Sequence, residues 1–252
     1  MNKFPNLRQF VLIIGNARSG TSLLGSIIDA HPNAMVANET NASKHFWSSL
    51  SATEIFEEIY ANAETNRENG RYCGGYSYKI AQGPKNLNDI QVTGDKIWNP
   101  AMLLLHGDYS LLHHLETTLE TNVSIIHAVR NPFDTVATMH NRSGAPVMDR
   151  ISWYFMHCAA ASVIREKARC LDIHHEDVIT SPEQELLKIL AFLGLEPNPA
   201  FLAECKAMLF NKPKLTRHTI AWTPAELEAM NAKIRDYDFL YRYSFDSWTL
   251  TR

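Results

Sequence analysis

Short runs of consecutive apolar residues alternate along the chain with segments in which apolar residues recur every three or four positions. Residues 10–14 (FVLII) form the first run and residues 123–129 (VSIIHAV) form a second. Uninterrupted β-branched and apolar runs of this length are typical of strands buried on both faces of a parallel sheet. The two runs therefore predict two central strands.

Each run is followed closely by a helical pattern. Residues 22–30 carry apolar side chains at helical spacing before Pro32 ends the segment, and Pro132 stands where a first helical turn favours proline. A third predicted strand, 171–175, precedes an amphipathic helix over 181–193. Strands that alternate with helices predict an α/β fold, a three-layer sandwich around a central parallel β-sheet.

No repeat, low-complexity tract or linker divides the 252 residues, so we expect one domain over 1–252. Residues 41–92 are less regular and rich in aromatic residues, and we expect helices and loops there, over one end of the sheet. A hydrophobic share of 45% excludes wholesale disorder.

Charge and cysteine spacing narrow the possible partners and the compartment. A net charge of -3 argues against a general nucleic-acid binder, which would carry a basic excess. The first apolar run is too short for a signal peptide, and no stretch approaches the length of a membrane span, so we expect a cytoplasmic protein without a membrane partner. Four cysteines without a C-x-x-C pair predict reduced thiols and no metal site.

The segment between the first strand and its helix is typical of a phosphate-binding turn. Residues 15–22 (GNARSGTS) combine small residues, whose backbone N–H groups can converge on an anion, with a helix N-terminus. Arg18 adds a full charge, and Ser19, Thr21 and Ser22 add hydroxyl groups. Loops that bind ATP or GTP carry lysine at the position of Thr21, so triphosphate chemistry is disfavoured. The alternative is a glycine-containing turn that binds no ligand.

Residues 18–24 (RSGTSLL) resemble the 5'-phosphosulfate loop of the sulfotransferases that use 3'-phosphoadenosine 5'-phosphosulfate (PAPS). The continuation over 29–40 is similar to the branch that includes tyrosylprotein sulfotransferases and many bacterial members. That family has an α/β fold with a central parallel sheet and a P-loop-like turn, as the pattern predicts. The resemblance implies that the loop residues bind the donor PAPS: Arg18, Ser19, Gly20, Thr21 and Ser22.

A second cationic site is needed for the 3'-phosphate of PAPS. Arg130 ends the second predicted strand, Thr138 follows eight residues later, and Arg142 shares a helical face with Thr138. Arginine can bind phosphate through two parallel hydrogen bonds. The resemblance implies that these three residues form the 3'-phosphate motif, in which the family usually has serine where this chain has Thr138. The alternative is a solvated arginine at a helix start.

The segment Gly94-Asp95-Lys96 follows a strand-like stretch over 90–93. It resembles the family segment whose lysine stabilises the departing phosphate or the transferring sulfuryl group, and a compact ammonium suits that task. The resemblance assigns Lys96 and Arg18 to the charge that develops on the leaving group. A solvated lysine on a turn is the alternative.

Glu39 is the candidate general base. A carboxylate near the donor can remove the acceptor's proton, and the branch has a glutamate at the spacing seen from His31-Pro32 to Glu39. The phenol and steroid branch has a histidine two residues after its lysine; here Trp98 stands there, so that histidine base is not indicated. Alternatively, Glu39 is an ordinary loop carboxylate or orients a neighbouring cation.

Two weaker positions complete the predicted site. His175 stands where the family has a tyrosine near the nucleotide, and Arg217 lies where a late basic loop often closes over it. A structural role is the alternative for His175, and Arg217 would substitute for a lysine that the family places a little further on. Aromatic residues of the 41–92 segment could line an acceptor pocket or belong to the core: Phe46, Trp47, Tyr60, Tyr72, Tyr76 and Tyr78.

The resemblance implies in-line sulfuryl transfer, without a covalent enzyme intermediate or a required metal, that releases adenosine 3',5'-bisphosphate (PAP). The expected acceptor is a small alcohol, phenol or amine, such as a natural product or glycolipid precursor. Two alternatives stay open: a P-loop kinase or hydrolase, and a non-catalytic nucleotide-binding protein on the same fold. The sequence does not predict the oligomeric state.

Overall fold

The computed structural model describes residues 4–40, 50–73, 76–80 and 84–247. Its centre is a five-stranded parallel sheet with the strand order β2-β5-β1-β6-β7, and β3 pairs with β4 in a separate antiparallel ribbon. The strands are β1 (Gln9–Gly15), β2 (Ala34–Asn38), β3 (Arg71–Cys73), β4 (Tyr76–Tyr78), β5 (Val92–Lys96), β6 (Asn122–Val129) and β7 (Cys170–His174). The predicted fold class is confirmed.

Helices cover the sheet, and their ends follow the local sequence. Ser51 and Glu54 form a reciprocal capping box before the second helix, and a left-handed Gly194 ends the eighth. The helices are α1 (Thr21–Ala30), α2 (Ala52–Asn69), α3 (Asn99–Gly107), α4 (Ser110–Leu119), α5 (Pro132–Ser143), α6 (Val147–Lys167), α7 (His175–Thr180), α8 (Pro182–Leu193), α9 (Pro199–Met208) and α10 (Pro224–Ile234). In the described part of the chain, none of them combines the length and apolarity needed to cross a membrane.

The side chains of β1 alternate between two apolar layers. Phe10, Leu12 and Ile14 belong to a cluster with α2, α3, α4 and α6, whereas Val11 and Ile13 belong to a cluster with α1, α8 and α9. All five side chains are buried, as expected for a central strand covered on both faces. The result is the three-layer sandwich that the sequence predicts.

Strand register brings the predicted motifs to one edge of the sheet. Ile13 of β1 pairs with Lys96 of β5, Gly15 pairs with Ala128 of β6, and Val129 pairs with His174 of β7. Ligands of open α/β sheets bind at the carboxyl ends of the strands. The phosphate-binding turn and the residues that follow β5, β6 and β7 therefore share the edge where a ligand is expected.

The edge strand β2 has no counterpart in the sequence prediction. Its outer carbonyl groups are covered by side chains: the Arg71 guanidinium donates to that of Val36, and the Lys85 ammonium donates to that of Ala34. Covering unpaired edge groups prevents pairing with another chain. The segment before β5 thus closes the sheet on this side.

Two predicted boundaries were wrong. Gly94 and Lys96 lie inside β5 rather than on a turn after a strand; the glycine is required because a Cβ there would lie 2.0 Å from the Val11 carbonyl oxygen. His175 begins the short helix α7 and does not end the strand before it. The segment 41–92, in which helices and loops were expected, contains the 18-residue helix α2.

Candidate active site

The turn between β1 and α1 requires special backbone conformations. Gly20, at the N-cap of α1, and Arg18 both have positive φ, at 98° and 75°. A Cβ at Gly20 would lie 2.6 Å from Nδ1 of His175, so only glycine fits there. In the described residues no side chain caps α1, which leaves the N–H groups of its first turn able to bind an anion.

A cavity of about 490 Å³ opens beside this turn. It is lined by residues of the turn, α5, α7 and the segment after α9, and the described lining residues include no carboxylate. A concentration of one sign of charge in a cleft attracts the opposite charge, so the cavity favours an anionic ligand. Its arginine and lysine residues are Arg18, Arg130, Arg142, Lys212 and Lys214.

Arg130 connects the phosphate-binding turn with the segment after α9. Its guanidinium donates to the carbonyl oxygen of Arg18 at 3.1 Å and to that of Lys214 at 2.8 Å. The residue is only 8% exposed. A buried arginine with two backbone acceptors is held rigidly, so its remaining donors have a fixed direction.

The predicted partners of Arg130 on α5 also line this cavity. Thr138 and Arg142 both belong to the wall. The Thr138 hydroxyl donates to the Asp134 carbonyl at 2.7 Å and lies 2.9 Å from the Thr216 hydroxyl. The structure thus brings together Arg18, Gly20, Thr21, Ser22, Arg130, Thr138, Arg142 and His175. Ser19 is buried instead, where its hydroxyl donates to the Asn16 carbonyl at 2.7 Å.

Sequence reasoning missed Lys212, Lys214 and Thr216, which line the cavity. The short basic stretch before Arg217 was the available signal. Arg217 itself is fully buried, and its guanidinium contacts the Asp134 carboxylate at 2.6 Å. The structure does not bring it to the described cavity wall, so we assign Arg217 to packing against α5.

His175 lies directly over the phosphate-binding turn and lines the cavity. Burial, assisted by the nearby Arg130 charge, lowers the pKa of His175 to about 3. The imidazole is therefore neutral at neutral pH. It can serve as a flat, uncharged surface or a hydrogen-bonding group, but not as another cation.

Glu39 and Lys96 meet one strand away from the turn. The Lys96 ammonium donates to the Glu39 carboxylate, and the Glu39 N–H donates to the Lys96 carbonyl at 2.9 Å. The lysine is nearly buried, whereas 42% of the Glu39 side chain is exposed. Lys96 also lies beside α1, because a Cβ at Gly25 would be 3.5 Å from its Cβ. The described residues that line the cavity of about 490 Å³ do not include Glu39 or Lys96.

The aromatic residues considered for an acceptor pocket separate into groups. Tyr78 lines the cationic cavity, and Tyr60 packs against the apolar core. Phe46 and Trp47, and the side chains of Tyr72 and Tyr76, lie outside the described residues. Trp98, two residues after Lys96, is 62% exposed at the carboxyl end of β5.

Comparison with solved structures identifies similar folds. Sulfotransferase STF9 from Mycobacterium avium has a TM-score of 0.53 at 9% identity, covering 93% of this chain and 78% of that chain. Mouse sulfotransferase SULT7A1, complexed with PAP, has a TM-score of 0.50 at 14% identity, covering 92% and 83%. Sulfotransferase STF1 from Mycobacterium tuberculosis has a TM-score of 0.50 at 11% identity, covering 90% and 77%. At these identities the likeness shows the fold.

Family membership follows from the sequence match. No curated protein matches the chain. Residues 10–199, however, match the model of the Sulfotransferase family. This range includes β1 and its phosphate-binding turn, Glu39, Lys96 and the α5 wall of the cavity. The resemblance drawn from the motifs is confirmed, and the chain belongs to the sulfotransferase family.

Proposed function

We propose that this sulfotransferase moves a sulfuryl group from PAPS to a hydroxyl or amine of a small-molecule acceptor in the cytoplasm. The observation that carries the proposal is the cationic cavity at the phosphate-binding turn, one strand away from the contact between Glu39 and Lys96. This transfer needs a binding site for an anionic donor, and a carboxylate and an ammonium close to it at the same edge of the sheet.

The cavity supports binding of both anionic ends of PAPS. The turn over 16–22 would hold the 5'-phosphosulfate through backbone N–H groups and Arg18. Arg130, Thr138 and Arg142 would hold the 3'-phosphate, with Lys212 and Lys214 lining the same cavity, and His175 would contact the adenosine. The volume of about 490 Å³ is in the range of small-molecule sites. The PAP in the mouse relative supports the choice of nucleotide.

The proposed reaction is an in-line displacement at sulfur. Glu39 accepts the acceptor's proton while the acceptor oxygen or nitrogen forms its bond to sulfur. The bond between sulfur and the bridging oxygen breaks, and PAP leaves with the electron pair. Lys96 and Arg18 offset the negative charge that develops on that oxygen. The scheme uses no covalent bond to the enzyme and no metal.

Two other functions predict different ligands. A P-loop kinase would use Mg-ATP, but the loop has Thr21 where kinases have lysine. A non-catalytic binding protein would hold PAP and leave PAPS intact. A non-catalytic protein would have no catalytic use for the carboxylate and the ammonium that meet one strand away from the turn.

Transfer from ³⁵S-labelled PAPS tests the proposal. Phenols, primary alcohols and amines are offered separately, with water as the acceptor when none is added, and the labelled products and PAP are measured. Parallel reactions contain γ-labelled Mg-ATP. We expect PAP release coupled to label transfer, and no phosphoryl transfer. PAP binding without any turnover of PAPS would favour the non-catalytic alternative, and phosphoryl transfer would favour the kinase.

A further inference from the structure

Asp95 is a fully buried carboxylate beside Lys96, on the opposite face of β5. Side chains alternate along β5, so Asp95 shares a face with Ile97, which follows the strand and packs in the cluster of α2 and α3. Lys96 shares the other face with Val92, which packs in the cluster of α1. The Asp95 carboxylate accepts the Thr40 hydroxyl at 2.9 Å and the Thr40 N–H at 3.4 Å. One carboxylate thus fixes both the side chain and the backbone of Thr40.

Thr40 directly follows Glu39, which has an unusual backbone conformation. Glu39 has a φ of 59°, in the left-handed region that residues with a side chain rarely adopt. Such a conformation persists only where the surroundings hold it. On one side the Glu39 N–H donates to the Lys96 carbonyl at 2.9 Å, and on the other side Thr40 is attached to Asp95. Two consecutive residues of β5 therefore hold this short segment.

We propose that Asp95 is a positioning residue for the general base: by anchoring Thr40, it keeps Glu39 in the left-handed conformation that places its carboxylate against Lys96. The inference rests on the proposed function, in which Glu39 removes the acceptor's proton. Asp95 does not touch the reacting atoms in this scheme; it acts through Thr40.

Ionisation of Asp95 is unfavourable for stability. Burial raises the pKa of Asp95 to about 6, although the hydrogen bonds from Thr40 and the charges of Arg71 and Lys96 act in the opposite direction. A carboxylate whose folded pKa lies above its unfolded value destabilises the folded state at neutral pH. Asp95→Asn removes this cost of ionisation but leaves one buried Thr40 donor without an acceptor, and the two effects on stability oppose each other.

The variants Asp95→Asn and Thr40→Val test this role. Asparagine offers one acceptor oxygen to the two Thr40 donors, so one of them loses its partner. We expect kcat for transfer from PAPS to fall about 10- to 100-fold, since small displacements of a reacting group have effects of this size. KM for PAPS and the Kd of PAP should stay unchanged, and Thr40→Ser should retain the wild-type kcat.

Thr93→Val is the matched control. Thr93 lies on β5 two residues before Asp95, is equally buried, and donates its hydroxyl to the Met35 carbonyl of β2 at 3.0 Å. Its loss removes a buried hydrogen bond between β5 and β2 without touching the Glu39 segment. We expect a wild-type kcat. An equal loss of kcat in Thr93→Val and Thr40→Val would assign the effect to strand packing and overturn the inference.

The outcomes separate this inference from the proposed function. If Glu39→Gln loses activity while Asp95→Asn and Thr40→Val keep the wild-type kcat, the positioning role is wrong and the function stands. If the wild-type enzyme transfers label to no acceptor, including water, the proposed function fails by itself. A crystal structure of Asp95→Asn then decides: Glu39 released from Lys96 supports the positioning role, and an unchanged Glu39 overturns it.

Discussion

The two sides of the phosphate-binding turn use charge in different ways. On one side, formed by the turn, α5 and α7, cations line an open cavity, and the described lining residues include no carboxylate. On the other side, around β2 and β5, charges are paired within the protein: Lys85 lies 3.1 Å from Asp29, and Lys96 contacts Glu39. The first arrangement leaves positive charge for a ligand, whereas the second holds one carboxylate in place. Four substitutions test this contrast.

Glu39→Gln should have the largest effect. Without the base, kcat for transfer to an alcohol should fall about 10²- to 10⁴-fold, while the Kd of PAP stays unchanged. A phenol of low pKa should lose less, because its proton needs less help to leave. Steady-state kinetics with ³⁵S-labelled PAPS measure both. Glu183→Gln is the control, since Glu183 pairs with the exposed Lys206. Equal loss of kcat and PAP affinity would place Glu39 in donor binding instead.

Lys85→Met should lower the free energy of unfolding by about 3–5 kcal/mol, because it leaves Asp29 as a buried charge without its nearest cation. The matched control is Lys206→Met, which breaks an exposed ion pair with an expected effect of about 0–1 kcal/mol. Urea unfolding followed by circular dichroism compares the two. Similar losses in both variants would remove the energetic distinction between the paired side and the solvent-exposed surface.

Arg130→Ala should weaken PAP binding by about 1.5–3 kcal/mol, because a charged hydrogen-bond donor to the 3'-phosphate is lost. Stability should change less than in Lys85→Met, since the ligand, not a carboxylate of the protein, is the intended partner of this cation. Calorimetric titration measures the affinity, with the exposed Arg235→Ala as the control. Unchanged PAP affinity in Arg130→Ala would exclude it from the 3'-phosphate site.

Asp172, on the edge strand β7, is a carboxylate paired within the protein and serves as a reference for the paired charges around β2 and β5. Burial opposes ionisation, but hydrogen bonds from His127 and Arg165 lower the pKa of Asp172 to about 2. The ionised form therefore stabilises the fold above the unfolded pKa of 3.8, and this contribution is lost as pH falls from 4 toward 2. Asp172→Asn should lose about 2 kcal/mol at pH 7. Urea unfolding across this pH range checks the result; a pH-independent loss would contradict it.

The sequence predicts the residues around the cationic cavity better than the charged residues around β2 and β5, for a physical reason. The two buried apolar strands before Gly15 and Arg130 can be recognised in the sequence, and so can the residues that follow their carboxyl ends. Parallel strands bring these ends to one edge of the sheet. The sequence does not indicate that Asp29, Arg71 and Lys85 are buried, because isolated charged residues are usually found on the surface. Only the fold brings these three into contact.

Arg217 and Lys214 illustrate the same limit at closer range. The sequence places basic residues near the end of the cavity but does not indicate which of them faces it. Arg217 is buried against Asp134, and Lys214 lines the cavity and binds Arg130 through its carbonyl. Arg217 lies in the turn Thr216–Thr219, which packs on α5, whereas Lys214 precedes that turn.

Calorimetric titration with PAP, 5'-AMP and Mg-ATP tests the central claim most directly. The cavity predicts that PAP binds more tightly than 5'-AMP by at least about 1.5 kcal/mol, the contribution of a charged hydrogen bond to the 3'-phosphate, and more tightly than Mg-ATP. Equal binding of PAP and 5'-AMP, or tighter binding of Mg-ATP, would contradict the assignment of the cavity to PAPS.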